Sequence, residues 1–286
     1  MDYFKTYLDL RPGILDADVN LRVGDLLIDQ GQTEEAQEAY RKAYLAPQLS
    51  NNINAALKLA ATYQAQGQSD LALGIYKEIL HNTDSDYTKS SMNLLIGRIL
   101  VSQGNTSEGC AYFQDSVENY PQTYDAYTAL VTLLDADQPV NELKRGIINY
   151  HVKQYQLALD ALERYLESDG YDKDEALYYK ALSLRAEGLV RAGFSSVERE
   201  TANVSGGTNH DKQAIQVWNQ LINTYPESIY RKDAIEDIIY TQNVYMGQMK
   251  LAIETALAFV ALPNAQSEAS GLLQTAASYY LLNGQT

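Results

Sequence analysis

The side chains best suited to acid–base or nucleophilic chemistry are few in this sequence and stand far apart. The three histidines are His81, His151 and His210, and the one cysteine is Cys110. No two histidines have the i, i+4 spacing that would place both on one helix face as zinc ligands, and no second cysteine is available. We interpret the isolated His151 as structural and Cys110 as a small core residue. These residues indicate neither a metal site nor a nucleophile.

Two short motifs begin like ligand-binding loops but lack the residues that complete them. Asp84-Ser-Asp86-Tyr-Thr88 opens like a calcium loop, without the glycine at the sixth position and the glutamate at the twelfth. Ser205-Gly-Gly-Thr-Asn lacks the Gly-Lys-Ser/Thr of a phosphate loop. Most carboxylates lie at predicted helix starts or on outer faces, where they favour the helix dipole and solubility. We therefore expect no catalytic residue, no metal and no cofactor, so the chain is not predicted to be an enzyme.

The charge balance narrows the classes of partner. Among 286 residues, 37 acids outnumber 22 bases, for a formal charge of −15. A surface of that sign repels phosphate backbones and anionic lipids, so we expect neither nucleic acid nor a membrane surface as partner. No apolar run approaches the roughly 18–20 residues of a membrane span. The opening residues lack the basic and apolar regions of a secretory signal.

The elements that would position any binding residue recur with a fixed period. Gly31, Gly67 and Gly104 are 36 and 37 residues apart, and each lies between two segments with helical apolar periodicity. A glycine supplies the positive φ of a tight turn without steric cost. The pattern predicts helical hairpins, each closed by one of these turns.

Small and aromatic residues recur at fixed offsets from these glycines. Seven residues before each one is a small residue, five after it is another, and nine after it is an aromatic residue: Gly24, Ala60 and Gly97; Ala36, Ala72 and Gly109; Tyr40, Tyr76 and Phe113. Small residues let the two helices approach closely, and we expect each aromatic ring to fill space against the next hairpin. Pro47 and Pro121 end two of the second helices.

This pattern resembles the tetratricopeptide repeat. The resemblance implies an all-α fold, a right-handed α-solenoid of helical hairpins, which would run through residues 1–286 as about six hairpins. We expect partial repeats at both ends, Asp2–Arg11 and Ala269–Leu282, the latter with Ala277 in the small position. Members of the family act as non-catalytic binding modules.

The repeats of the second half show two disturbances. The segment Thr123–Ala136 is an extra helix length, which shifts the phase by one helix before the hairpin Val140–Leu166. The next hairpin pairs Asp174–Glu187 with Lys212–Tyr225, and residues 189–210 form a polar insertion between its two helices. Because repeat insertions map to loops, we predict a protruding loop there.

A second resemblance covers the C-terminal half. Its residues include Gly146-Ile-Ile-Asn-Tyr-His, Ala176-Leu-Tyr-Tyr-Lys-Ala-Leu and Ala214-Ile-Gln-Val-Trp-Asn-Gln-Leu. They look like the helical region that precedes the catalytic domain in bacterial soluble lytic transglycosylases, whose catalytic motifs are missing here. This resemblance implies an accessory region for peptidoglycan in the cell envelope. A complete chain would instead be cytoplasmic, and the location stays open between the two.

The first helices would line the concave groove of such an array. We take their exposed positions as binding candidates: Asp25, Gln64, Arg98, Tyr150, Tyr178, Arg185, Asp237 and Tyr245. The family's clamp for acidic chaperone tails needs Lys and Asn where this chain has Leu21 and Asp25, so such tails are disfavoured. Tyrosine-rich walls suit peptides or sugars, although the same rings could serve interhelical packing. We predict a non-catalytic scaffold that binds a protein or peptide. The alternative is an accessory region of a lytic transglycosylase, with peptidoglycan as ligand.

Overall fold

The computed structural model describes residues 2–10, 13, 15–46, 52–191, 208–261 and 269–282. Every regular element within these ranges is helical. The chain divides into two compact units, Met1–Pro139 and Val140–Thr286. None of the helices in the described ranges is long and apolar enough to cross a bilayer.

The described residues of the first unit form eight helices. They are α1 (Asp2–Leu10), α2 (Asp16–Asp29), α3 (Thr33–Leu45), α4 (Ile53–Ala65), α5 (Ser69–Asn82), α6 (Asp86–Ser102), α7 (Thr106–Asn119) and α8 (Tyr124–Asp135). Helices α2 to α7 form three successive hairpins, and each helix packs on its neighbours in the chain. The predicted solenoid of helices is thus confirmed for this unit.

The turns of these hairpins depend on the predicted glycines. Gly31, Gly67 and Gly104 have φ values of 73°, 73° and 86°. The backbone N–H of the residue after each glycine donates to a carbonyl five residues earlier, as from Gln32 to Leu27 at 2.9 Å. In this conformation a Cβ would clash with the backbone, which explains why glycine recurs there.

The small residues allow a close approach of the paired helices. A Cβ on Gly24 would lie 2.4 Å from the ring of Tyr40, and one on Gly97 would lie 2.4 Å from Phe113. Both rings belong to the second helix of the same hairpin. Each of these two rings packs on the small residue of its own hairpin, and the ring of Tyr40 also has Lys58 of the next hairpin over it, at 5.6 Å.

Helix α8 matches the predicted extra segment and has the features of a first helix. It ends in the same kind of turn, with Asp137 at φ 51° and the Gln138 N–H donating to the Leu133 carbonyl at 2.9 Å. The position seven residues before Asp137 holds Leu130, where the hairpin-forming first helices of this unit have glycine or alanine. The next helix of the chain opens the second unit.

In the described parts of the second unit there are seven helices and one π-helical turn. The helices are α9 (Glu142–His151), α10 (Tyr155–Glu167), α11 (Lys173–Arg191), α12 (Asn209–Thr224), α13 (Arg231–Tyr240), α14 (Met249–Val260) and α15 (Ala269–Leu282), and the π-helical turn is Thr241–Tyr245. Hairpins α9/α10, α11/α12 and α13/α14 are followed by α15. Their core centres on Trp218, the largest fully buried side chain.

The end of one helix and the position of one small residue in this unit differ from the sequence prediction. Helix α11 continues to Arg191, so Gly188 lies inside it; a Cβ there would come within 2.7 Å of His210 and Thr208 at the start of α12. In α15 the buried small residue is Ala276, at 3% exposure, whereas Ala277 is exposed. Within the predicted insertion 189–210, residues 192–207 lie outside the described ranges.

A tyrosine and carboxylate cleft in the second unit

The eight candidate binding residues fall into two groups with different surroundings. Asp25, Gln64 and Arg98 belong to separate hairpins of the first unit. The Tyr76 hydroxyl donates to Gln64 Oε1 at 2.9 Å, and Arg98 is exposed on α6. The structure does not bring these three residues together into one site.

Asp25 has a defined environment of its own. Its carboxylate accepts hydrogen bonds from the Lys58 ammonium and, at 2.9 Å, from the Tyr40 hydroxyl. The Lys58 Nζ also lies 5.6 Å from the centre of the Tyr40 ring. Burial alone would raise the pKa of Asp25, but these two hydrogen bonds outweigh it and lower the pKa below the usual value. Asp25 is therefore already occupied by groups of its own chain.

In the second unit, four of the candidates contact one another. Arg185 Nη1 on α11 donates to Asp237 Oδ1 on α13 at 2.6 Å, and the Tyr178 hydroxyl donates to Asp237 Oδ2 at 3.1 Å. The side chains of Arg185 and Asp237 are only 15% and 19% exposed. Arg185 Nη1 also donates to Thr241 Oγ1 at 3.2 Å. Both oxygens of Asp237 thus have a partner on the facing helix.

The guanidinium of Arg185 is also held by aromatic rings. Its Cζ lies 5.0 Å from the centre of the Trp218 ring and 5.6 Å from that of Tyr245. Tyr245 is 7% exposed and packs edge-on against Tyr240, with ring centres 5.5 Å apart. Arg185 and Tyr245 therefore support the wall of the groove from behind and do not form its open surface.

One stretch of chain, α13 with the π-helical turn that follows it, supplies three groups to this arrangement. Asp237, Thr241 and Tyr245 follow each other at intervals of four, and all three contact Arg185. The turn is closed by the Met246 N–H, which donates to the Thr241 carbonyl at 3.0 Å. Such turns insert one residue into a helix and occur often at functional sites.

Tyr150, the remaining candidate, belongs to a cluster of rings beside this ion pair. Its ring lies 5.6 Å from that of Tyr179, edge to face, and Tyr178 stacks on Tyr230 at 5.1 Å. Burial raises the pKa of Tyr150 and Tyr178, and the neighbouring Asp237 carboxylate raises that of Tyr178 further. These hydroxyls therefore stay protonated and act as hydrogen-bond donors at neutral pH.

An open cleft of about 700 Å³ lies in front of this cluster. It is bordered by three first helices, α11, α13 and α15, and its lining residues are Tyr178, Asp233, Glu236, Asp237, Ile239, Tyr240, Gly271, Leu272, Gln274, Thr275, Ser278 and Tyr279. Three of these are carboxylates, three are tyrosines and none is a Lys, Arg or His. The apolar members Ile239 and Leu272 are each 1% exposed, so the open surface is polar.

Two of the predicted candidates, Tyr178 and Asp237, border the cleft directly. The residues of α15 were missed, although Gly271, Thr275 and Ser278 have the i, i+4, i+7 spacing of one helix face. Asp233 was also missed; it lies four residues before Asp237 on α13, which puts both on the same face. The helical spacing of these residues could have predicted that they lie on one face.

The cleft can bind by charge and hydrogen bonding. In the part of the chain that the structure describes, no three His, Cys, Asp or Glu side chains are grouped so that they could hold a metal ion. The groups present are carboxylates, tyrosine hydroxyls and the polar side chains of Gln274 and Ser278. They suit recognition of a polar or cationic ligand.

Comparison with protein families agrees with the repeat pattern. Two tetratricopeptide repeat models match this chain, one over residues 17–46 and the other over 54–82 and 92–123. A third model, described as the outer membrane lipoprotein YfiO, matches residues 142–255. The predicted resemblance of this half to lytic transglycosylases finds no support in these comparisons.

Among solved structures, three helical-repeat proteins align over most of the chain at low similarity. The TPR2AB domain of yeast Sti1, in its pHSP90 complex, shares 17% identity over 91% of this chain and 98% of its own, with a TM-score of 0.34. A tetratricopeptide repeat protein from Parabacteroides merdae shares 14% over 95% and 88%, with a TM-score of 0.36. The TPR domain of P58(IPK) shares 17% over 94% and 89%, also with a TM-score of 0.36.

The search of curated proteins gave no significant match. Each of the three matched segments contains one turn glycine: Gly31, Gly67 or Gly104. On this evidence the chain contains tetratricopeptide repeats, which generally mediate interactions between proteins.

Proposed function

We propose that this chain is a non-catalytic scaffold that holds an extended segment of a partner protein on the first-helix face of its second unit. The observation that carries the proposal is the open cleft between α11, α13 and α15. Three successive first helices border it, so a segment lying there would contact side chains from three hairpins at once.

The wall of this cleft is fixed before any ligand arrives. The ion pair between Arg185 and Asp237 joins α11 to α13, and the hydroxyl of Tyr178 is anchored on the same carboxylate. A prearranged wall reduces the ordering cost of binding, which otherwise consumes much of the interaction energy. In the first unit, the exposed Gln64 and Arg98 are proposed as separate binding residues.

A peptide selection experiment tests the proposal. The purified chain is used to select binders from a library of displayed random peptides. Selected peptides are then measured on two variants, Ser278→Trp, which fills the cleft, and Ala277→Trp, which puts the same side chain on an exposed neighbouring position of α15. We expect Ser278→Trp to abolish binding of the selected peptides and Ala277→Trp to leave it unchanged.

Two results would count against the proposal. The first is a failure to select any peptide whose binding depends on the cleft. The second is saturable pelleting of the chain with purified peptidoglycan that Ser278→Trp prevents, since the cleft would then serve a glycan and not a protein segment. Circular dichroism of both tryptophan variants confirms that they remain folded.

A further inference from the structure

We infer that the cleft of the second unit receives a lysine or arginine side chain of the partner segment. This inference rests on the proposed function and adds the chemistry of the partner. Three features support it: the charges of the lining residues, the tyrosine rings, and the cations that this chain already holds in the same way.

The charges of the lining residues favour a cation. Asp237 is neutralised by Arg185, but Asp233 and Glu236 are exposed, and none of the described residues that border the cleft is basic. Glu236 has Lys232 at 3.8 Å on the same helix, with both side chains more than half exposed. Such a pair contributes little and is readily exchanged for another cation. Two carboxylates are therefore available to an incoming basic group.

The tyrosine rings supply the second part of a cation site. Tyr178, Tyr240 and Tyr279 border the cleft from three different helices. A lysine or arginine that enters between them can place its charge near a ring face and its alkyl stem along the ring. The carboxylates on α13 lie at the same cleft, so charge and ring contacts can act together.

Among the described residues, three cations are held by this combination, and the most exposed of them is Lys77, with Glu108 and the ring of Tyr112. Behind the cleft, Arg185 is paired with the Asp237 carboxylate and lies over the rings of Trp218 and Tyr245. In the first unit, Lys58 is paired with Asp25 and lies over the ring of Tyr40. The open cleft offers the same pairing of a carboxylate with tyrosine rings, but without a cation from its own chain among the lining residues.

Other partner segments fit the cleft less well. An acidic segment would meet Asp233 and Glu236 and be repelled. An amphipathic helix would need apolar surface for its anchors, and the apolar lining residues Ile239 and Leu272 are almost completely buried. A basic extended segment satisfies both the charges and the polar surface of α15.

Three peptides that differ only in charge test the inference. One is lysine-rich, and in the other two every lysine is replaced by glutamine or by glutamate; binding is measured by fluorescence anisotropy. We expect the lysine peptide to bind the wild type at least about tenfold more tightly than the glutamine peptide, and the glutamate peptide not to bind. The double variant Asp233→Asn, Glu236→Gln should weaken the lysine peptide by roughly three- to tenfold.

The matched control is Glu254→Gln on α14. Like Glu236, Glu254 has a lysine four residues earlier, Lys250 at 3.9 Å, and its side chain is 59% exposed, but it does not border the cleft. We expect this variant to bind the lysine peptide like the wild type. If it weakens binding as much as the double variant does, the peptide only senses the overall negative charge and the inference is wrong.

The remaining outcomes separate the inference from the proposed function. If the glutamine peptide binds as tightly as the lysine peptide and Ser278→Trp blocks both, the cleft binds segments without selecting a cation. The inference then fails, while the proposed function stands. If no peptide of any charge shows binding that Ser278→Trp removes, both fail together.

Discussion

Arg185 and Asp237 are 52 residues apart in the chain, yet Nη1 of the first lies 2.6 Å from Oδ1 of the second. Their ion pair connects α11 with α13, two helices separated by the whole of α12. Both side chains are largely buried and both have further partners, the Trp218 ring on one side and the Tyr178 hydroxyl on the other. The Arg185–Asp237 ion pair thus contacts both the aromatic rings behind the cleft and the residues that form its wall.

Replacing Arg185 with methionine should destabilise the second unit by about 2–4 kcal/mol. The substitution keeps much of the apolar stem but leaves the Asp237 carboxylate mostly buried and without its counterion, which is strongly unfavourable. Trp218 is the only tryptophan and is fully buried, so its fluorescence during urea unfolding reports on this unit.

The control for this variant is Lys250→Met in the same unit. Lys250 is 91% exposed, and its Nζ lies 3.9 Å from Glu254 Oε1. The free energy of unfolding should therefore fall by no more than about 0.5 kcal/mol. Equal small losses for the two variants would show that the Arg185 pair contributes no more than a surface contact.

Gly97→Ala should destabilise the first unit by about 1–3 kcal/mol. The added Cβ would lie 2.4 Å from the Phe113 ring and 2.9 Å from the Gly109 carbonyl, so the two helices of the hairpin must separate. Urea unfolding followed by circular dichroism measures the loss.

Gly74→Ala, in the same unit, is expected to increase stability, in contrast to Gly97→Ala. Gly74 lies inside α5 and a Cβ there would meet nothing within 4 Å, so alanine should stabilise the helix by about 0.5–1 kcal/mol. A loss of stability at both glycines would contradict the steric explanation for Gly97.

Lys153→Gly should stabilise the second unit by about 0.5–1 kcal/mol. Lys153 has φ 64° in the turn between α9 and α10, a conformation that is unfavourable for a residue with a Cβ. Gly104→Ala, at φ 86° in the corresponding turn of the first unit, should have the opposite sign, with a loss of about 1–2 kcal/mol. Chemical denaturation of each variant and of the wild type measures whether the change in the free energy of unfolding has the expected sign in each case.

The stabilising effect of Asp25 should depend on pH in a defined direction. Hydrogen bonds from Lys58 and Tyr40 lower its pKa in the folded state below the usual 3.8, so the unfolded state binds more protons in the window below that value. The stability difference between wild type and Asp25→Asn is therefore fully present above this usual value. It shrinks as pH falls through the lowered pKa. A difference that stays constant down to strongly acidic pH would contradict this assignment.

The fold of the first unit follows from features that are local in sequence. The turn glycines, the small residues and the aromatic residues occur at constant offsets, and each offset corresponds to one turn or one close approach, such as Gly24 with Tyr40. Sequence also predicted the extra helix α8, since helical periodicity continues through that segment without a second helix to follow it.

The cleft could be predicted only in part, because its contacts join distant residues. Tyr178 and Asp237 were expected to face the groove, but their pairing depends on how α11 and α13 pack across α12. Tyr245 was also expected to face the groove, but it lies seven residues after Ile238 and shares the buried face of its helix. A one-residue error in α15, Ala276 against Ala277, rotates the predicted face by about 100°. Periodicity alone does not determine these phases.

The separation of Arg185 and Asp237 also sets an order of events on the ribosome. At about 5–20 residues per second, Asp237 is added roughly 3–10 s after Arg185. As these segments emerge, α11 and α12 can form their hairpin before Asp237 is available to pair with the Arg185 guanidinium. The nascent second unit therefore acquires the wall of its cleft only when α13 emerges.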